Sequence, residues 1–252
     1  DMQKIIKNLF IIGIILCILS IFLIIGTYLA IKPNLPEIKY VDESELQMPL
    51  KVHTKDGYLI GEFGEIKRRA TSFDDIPKNI KNAFLSAEDD NFFNHQGISY
   101  TGLIRSFVRC VGPSGCQGGG GTITMQVVRG YLLTPEQTIV RKIKEIFLAL
   151  ELEGKVEKEE IFELYVNRIF LGNRSYGIEA AANTYFNKNL SELSISESAT
   201  IAAIAQLPSR INPVKNLRRT LQRRDWILSR MFLLDHISET VSYTHLRAHE
   251  TR

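Results

Sequence analysis

Three stretches of this chain combine residue types that can do chemistry. The first is Ala87-Glu88-Asp89-Asp90-Asn91-Phe92-Phe93-Asn94-His95-Gln96-Gly97, three consecutive acids beside two phenylalanines and a histidine. Two readings stay open. Charge runs usually face water, which gives a solvated acidic loop with Phe92 and Phe93 tucked beneath it. Alternatively the aromatics desolvate one carboxylate, raise its pKa and leave it working as a general base. His95 can ligate a metal, although a lone histidine more often satisfies local backbone groups.

The second stretch is Gln117-Gly118-Gly119-Gly120-Gly121-Thr122-Ile123-Thr124-Met125-Gln126. Its glycines free the backbone to approach a ligand, and exposed amides there suit phosphate oxygens. Thr122, Thr124 and Gln126 add side-chain donors. The Lys-Ser/Thr ending of a nucleotide-binding loop is absent, which argues against nucleotide hydrolysis. A plain flexible linker is the alternative. The third is Arg141-Lys142-Ile143-Lys144-Glu145, where Arg141 and Glu145 share a helical face. It is either a surface ion pair of under about 1 kcal/mol or a cationic patch for a diphosphate, tuned by Glu145.

Helices must position these groups. Asp75 with Pro77 opens one running toward Glu88, with Ile80, Ala83, Phe84 and Ala87 on one face. Ser99 caps a second, carrying the stripe Leu103, Ile104, Phe107 and Val108. Thr134-Pro135-Glu136 reads as the start of a third that reaches Leu152. Ser194-x-x-Glu197 is a capping box before an Ala/Ile-rich helix stopped by Pro208, and a last helix covers Leu217 to Leu233. Leu50 to Phe63 alternates around Asp56-Gly57, which suits a short hairpin. No internal repeat is found.

Composition bounds the rest. The 252 residues carry 31 basic and 28 acidic side chains, and the net charge of +3 with no basic run excludes nucleic acid as a partner. Three cysteines exclude a disulfide scaffold or a Cys-based zinc module. The apolar residues are unevenly spread. Leu9 to Ile31 contains 23 uncharged residues, 19 of them apolar. As a helix it is about 34 Å long, enough for a hydrocarbon core of about 30 Å. A cleaved signal peptide would be shorter and end in small residues, unlike Tyr28-Leu29-Ala30-Ile31. Lys4 and Lys7 put the N-terminus on the cytoplasmic side. The expected layout is a cytoplasmic start (1–8), a transmembrane anchor (9–31), a linker and hairpin (32–64) and a mainly α domain (65–235). Residues 241–252 resemble the translated read-through of a sequencing adapter, so His245 and His249 are set aside.

In order, these segments resemble the peptidoglycan glycosyltransferase domain of class A penicillin-binding proteins. Glu88-Asp89-x-x-Phe92-x-x-His95-x-Gly97 with Arg105 is similar to that family's first motif. Gly119-Gly120-x-Thr122-Ile123-Thr124-x-Gln126 is similar to the second, and Arg141-Lys142-x-x-Glu145 to the third. Glu163-x-Tyr165-x-Asn167 through Leu171-Gly172, with Tyr176-Gly177-x-Glu179-Ala180-Ala181, resembles the fourth. Glu197 through Leu207-Pro208, Asn212-Pro213 and Arg224-Asp225 to Met231 resemble the fifth and its sequel. Two departures stand out: Gly121 replaces the family's usual Ser, and Arg129-Gly130 replaces Lys- or Arg-Asn.

The resemblance implies a lysozyme-like α domain that polymerises lipid II with inversion, from a growing glycan strand on undecaprenyl diphosphate. It implies Glu88 as general base and Glu145, with Arg141 and Lys142, as the group serving the diphosphate. Asp89, Phe92, His95, Arg105, Gly120, Thr122, Thr124, Gln126, Arg129 and Asn167 are implied substrate contacts. Mg²⁺ or Mn²⁺ is implied as an aid to the leaving group, with no ligand set identified. Implied partners are lipid II, the glycan strand, the inner membrane and cell-wall synthesis proteins, with the catalytic domain in the periplasm. A membrane-dipping segment near residues 103–133 holds Cys110 and Cys116, which either pair or stay free. The family's longer members continue into a Ser-x-x-Lys transpeptidase, which these residues do not contain. A lysozyme-like hydrolase and a catalytically silent anchored scaffold remain as alternatives.

Overall fold

The computed structural model describes residues 2–36, 38, 50–53, 56, 59–63, 71–111, 121–134 and 138–238. Gly120, Cys116, the side chains of Cys17 and Cys110, and the tail 241–252 lie outside the described residues.

The chain opens with α1 (Met2–Ile31), an uninterrupted helix of 30 residues. Among the described residues alone, no helix is long and apolar enough to cross a membrane. At its end the Tyr28 ring lies 5.1 Å from that of Phe147. Two short strands follow, β1 (Leu50–His53) and β2 (Leu59–Phe63). They pair antiparallel with Leu50 opposite Phe63, and the register shifts between Val52 and His53.

The remaining elements are helical: α2 (Lys78–Glu88), α3 (Tyr100–Val111), α4 (Ile123–Leu132), α5 (Ile139–Glu153), α6 (Lys158–Arg168), α7 (Ile178–Phe186), α8 (Ile195–Ala205) and α9 (Leu217–Leu233). Helix α8 is the axis. Ser194 accepts from the Glu197 backbone N–H while Glu197 bonds back to Ser194, so both ends of the capping box are made. Because the segment is small and apolar all round, it is wrapped on every side: Ala199, Ile201, Ala202, Ala203 and Ile204 are at most 1% exposed. Helices α2, α7 and α9 pack around it. Helix α2 presents Ile80, Ala83 and Phe84, all fully buried.

A second group forms where α4 packs on α5 and α6. Ring contacts join the groups: Phe84 of α2 lies edge-on 6.0 Å from Tyr165 of α6, and Phe92 lies tilted 6.2 Å from Phe162. All three chemically suggestive stretches converge on this seam.

One expectation needs correction. Helix α5 starts at Ile139, not near Thr134, because the Thr138 hydroxyl accepts from the Arg141 backbone N–H at 3.1 Å and caps the helix there. Among the described side chains of α3, Leu103 packs against the core, while Ile104 and Val108 are 65% and 63% exposed.

Candidate active site

Glu88 is the last residue of α2, and Asp89 is its C-cap, its backbone N–H donating to the Leu85 carbonyl. Gln126 of α4 donates from Nε2 to Glu88 Oε2 at 3.0 Å. Burial pushes the Glu88 carboxyl above its usual range. The Gln126 hydrogen bond and the charges of Arg223 and Arg129 pull the other way, and Asp89 adds a weaker upward push. The result is a carboxylate that takes up a proton more readily than one in water, as a base requires. Beside it the Tyr165 phenol is driven well above its ordinary value, chiefly by burial and then by Glu88. It stays neutral, and its hydroxyl has no hydrogen-bond partner among the described residues.

The acidic stretch splits in two. Asp90 is exposed and pairs with Arg230 of α9. Asp89 points inward, where Oδ2 accepts from the Ile123 backbone N–H at 3.0 Å and both oxygens meet His95 Nε2 at 2.9 and 3.1 Å. Ile123 opens α4, so a carboxylate sits at a helix N-terminus, where charge and unpaired N–H groups favour it. Phe92 is 1% exposed and packs in the core, whereas Phe93 is partly exposed. The loop then turns at Gly97, with φ of +79°. A Cβ there would meet the Ala149 carbonyl oxygen at 2.7 Å, so only glycine lets the loop lie on α5.

The glycine-rich stretch ends in a cap. Thr122 donates to the Gly97 carbonyl at 2.6 Å and accepts from the Met125 backbone N–H at 3.1 Å. Thr124 is fully buried and donates to Glu153, whose carboxylate also meets Lys158 at 2.7 Å. Gly121 lies beside the third stretch, since a Cβ there would stand 3.7 Å from Lys142 Nζ.

On α5, Glu145 is 1% exposed, so the surface-pair reading does not hold. Lys142 Nζ donates to Oε2 at 3.0 Å, and Arg141 Nε lies 3.2 Å from Oε1. Arg141 and Lys142 remain partly exposed, so two cations share one buried anion and keep charge directed outward. An anionic group would be attracted there.

Several expected substrate contacts have another duty in the structure. Asp89, Phe92, Thr122, Thr124 and Asn167 are buried, and the polar ones hold other parts of the chain. Asn167 accepts from the Thr71 N–H and donates to the Thr71 carbonyl, both at 2.9 Å. Glu163, one turn earlier on α6, accepts from the Phe73 N–H at 2.8 Å. This pair clamps the segment leading into α2. Arg105 and Arg129 are exposed. Beside Gln126 a cleft of about 200 Å³ is lined by Arg129, Tyr131, Tyr165, Arg168 and Phe170, with Arg168 4.1 Å above the Tyr131 ring. Sequence reasoning missed Tyr165 as a neighbour of Glu88, and it missed Arg223. Only their helical phase relative to buried neighbours could have pointed to them.

Among the described residues no three His, Cys, Asp or Glu side chains gather to hold a metal ion. The charge of Glu145 is already matched by Arg141 and Lys142.

A family model described as transglycosylase matches residues 56–232. Penicillin-binding protein 1A from Pseudomonas aeruginosa is 49% identical over 214 residues, covering 85% of this chain and 26% of that protein. Penicillin-binding protein 1A from Escherichia coli is 37% identical over 237 residues, covering 94% of this chain and 28% of that protein. The crystal structure of penicillin-binding protein 1A from Haemophilus influenzae aligns with a TM-score of 0.46 at 32% identity, covering 80% of this chain and 20% of that one. The chain thus spans about a quarter of the length of the curated relatives it matches.

Proposed function

The chain belongs to the transglycosylase family, and from that premise we propose that it is a membrane-anchored peptidoglycan glycosyltransferase that polymerises lipid II. The observation that carries this reading is Glu88: a partly buried carboxylate with a raised pKa, oriented by Gln126. The Arg141–Lys142–Glu145 cluster on α5 accompanies it. Glu88 takes the proton from an acceptor sugar hydroxyl as that oxygen attacks the donor's anomeric carbon. The new C–O bond forms on the face opposite the breaking bond, so the configuration inverts. The diphosphate departs with the bonding electrons, and Arg141 and Lys142 meet its developing charge. No enzyme nucleophile is needed.

Both substrates of such a reaction are lipids, and an anchor raises their local concentration. The uncharged 9–31 stretch of the sequence is read as that anchor. The exposed Ile104 and Val108 of α3 suit a shallow membrane contact beside it. The catalytic domain then lies on the outer side of the membrane, in the periplasm where there is one. Lipid II and the growing strand are the partners this chemistry requires.

The test is Glu88→Gln on the whole chain with labelled lipid II. The wild type is expected to form polymer. The variant, folded by circular dichroism, is expected to lose at least a hundredfold in rate. Retained activity in the variant would overturn the base assignment. Muropeptide release from sacculi without polymer formation would point to a hydrolase, and no turnover of either substrate to a scaffold.

A further inference from the structure

Helix α9 closes over the segment that carries Glu88, and three of its residues do so from one face. Arg223, Trp226 and Arg230 stand at i, i+3 and i+7, so they line up along the helix. Arg223 Nη2 reaches the carbonyl oxygen of Ala87, the residue before Glu88, at 3.4 Å. Its guanidinium lies 3.9 Å above the Trp226 ring, and its Nε is buried without a hydrogen-bond partner. Arg230 sits 5.9 Å from the same ring and pairs with Asp90, two residues after Glu88. The segment that carries Glu88 is therefore held on both sides, at Ala87 and at Asp90, by arginines of a helix far away in sequence, with an indole between them.

We propose that this Arg–Trp–Arg ladder is a brace, and that Arg223 is a positioning residue for Glu88. The proposal rests on Glu88 being the base. Charged or titratable groups face Glu88 from each element around it: Asp89 at the end of α2, Arg129 of α4, Tyr165 of α6 and Arg223 of α9. Gln126 of α4 adds a neutral donor. Tyr165 is neutral and Asp89 works against ionisation, so the two arginines are the cations that oppose burial. Of these, Arg129 is exposed and screened, while Arg223 is half-buried against Trp226. Stacking on the indole fixes the guanidinium plane. That makes Arg223 the better candidate to hold the carboxylate ionised and in place.

The experiment is a pH–rate profile of lipid II polymerisation for the wild-type chain, Arg223→Gln and Arg223→Lys. Arg223→Gln is expected to lower kcat at neutral pH about tenfold and to leave KM within about twofold. It should also move the acid limb of the profile to higher pH, because burial then acts on Glu88 with less opposition. Arg223→Lys keeps the charge without the planar fork, and should restore the limb's position but not the full rate. A limb that stays put in a folded Arg223→Gln, with activity lost equally at all pH values, overturns the brace and leaves Arg223 a packing residue. If Arg223→Gln does not fold, Arg223→Lys decides. A reduced kcat with an unmoved limb supports the brace, and wild-type kcat or a displaced limb overturns it. A wild-type chain that makes no polymer would defeat the function itself. An active wild type with an unshifted Arg223→Gln limb would defeat only the brace.

Discussion

Asp89 and Glu88 are adjacent acids, yet the structure gives them opposite duties, and replacing Asp89 tests that division. Asp89 holds the first N–H of α4 at 3.0 Å and His95 Nε2 at 2.9 Å. Truncation to alanine leaves both donors buried and unpartnered. A hydrogen bond to a charged group contributes about 1.5–3 kcal/mol, and the carboxylate loses a further ~0.3–1 kcal/mol of interaction with the helix terminus. Allowing for overlap between the two bonds, Asp89→Ala should destabilise by about 3–5 kcal/mol. At about 2–4 °C per kcal/mol for a domain of this size, Tm falls by roughly 6–20 °C. Asp89→Asn keeps one acceptor and the shape, so about 1–2 kcal/mol is expected. The assay pairs thermal unfolding with steady-state polymerisation of lipid II. Loss should appear in kcat, because the loop behind Glu88 shifts, with KM little changed. An Asp89→Ala chain with unchanged Tm and a raised KM would refute this account and return Asp89 to the substrate.

Two further outcomes follow from the geometry. Gly97→Ala forces a positive φ on an L-residue and drives a Cβ to 2.7 Å from the Ala149 carbonyl oxygen, so we expect about 2–4 kcal/mol of destabilisation by urea unfolding; a loss under about 0.5 kcal/mol would mean the loop does not rest on α5. For Glu197, burial acts upward, but hydrogen bonds from Lys188 and Ser194 together hold its carboxyl below the usual range. A depressed folded pKa contributes stability above the unfolded value of about 4.3 and loses it as pH falls through the folded one. Glutamine can still serve a capping box, so Glu197→Gln removes the charge and keeps the cap. Its Tm deficit at pH 7 should shrink as the pH drops below about 4, and a deficit independent of pH would show that the Lys188 pairing adds nothing.

How far the chain can be read before folding depends on where each residue's partner lies. The elements around α8 were legible because their signals are local: Pro77 before α2, the Ser194–Glu197 box, and the apolar phase of Leu217 to Leu233. The start of α5 was misread although its signal is local too, because Thr134 and Thr138 are both competent caps and only the bonded one wins. Side-chain type was no guide to duty in the glycine-rich stretch. A threonine hydroxyl that could greet a phosphate equally well closes a helix, and Thr122 does the second. Residues whose partners are remote in sequence were the least legible. Glu163 and Asn167 share a face visible in the sequence, but the backbone they clamp lies 90 and 96 residues earlier. Arg223 is harder still, since Arg218, Arg219, Arg224 and Arg230 occupy the same helix. What separates Arg223 from them is not composition but its contacts: one turn before Trp226, it stacks on that ring and reaches the Ala87 carbonyl. Glu88 was found as a type of residue with a suitable neighbourhood. The proposal of Glu88 as the base, and not Asp89 or Asp90, follows from three contacts: Gln126 of the cleft donates to Glu88, α4's first N–H turns Asp89 inward, and Arg230 draws Asp90 to the surface.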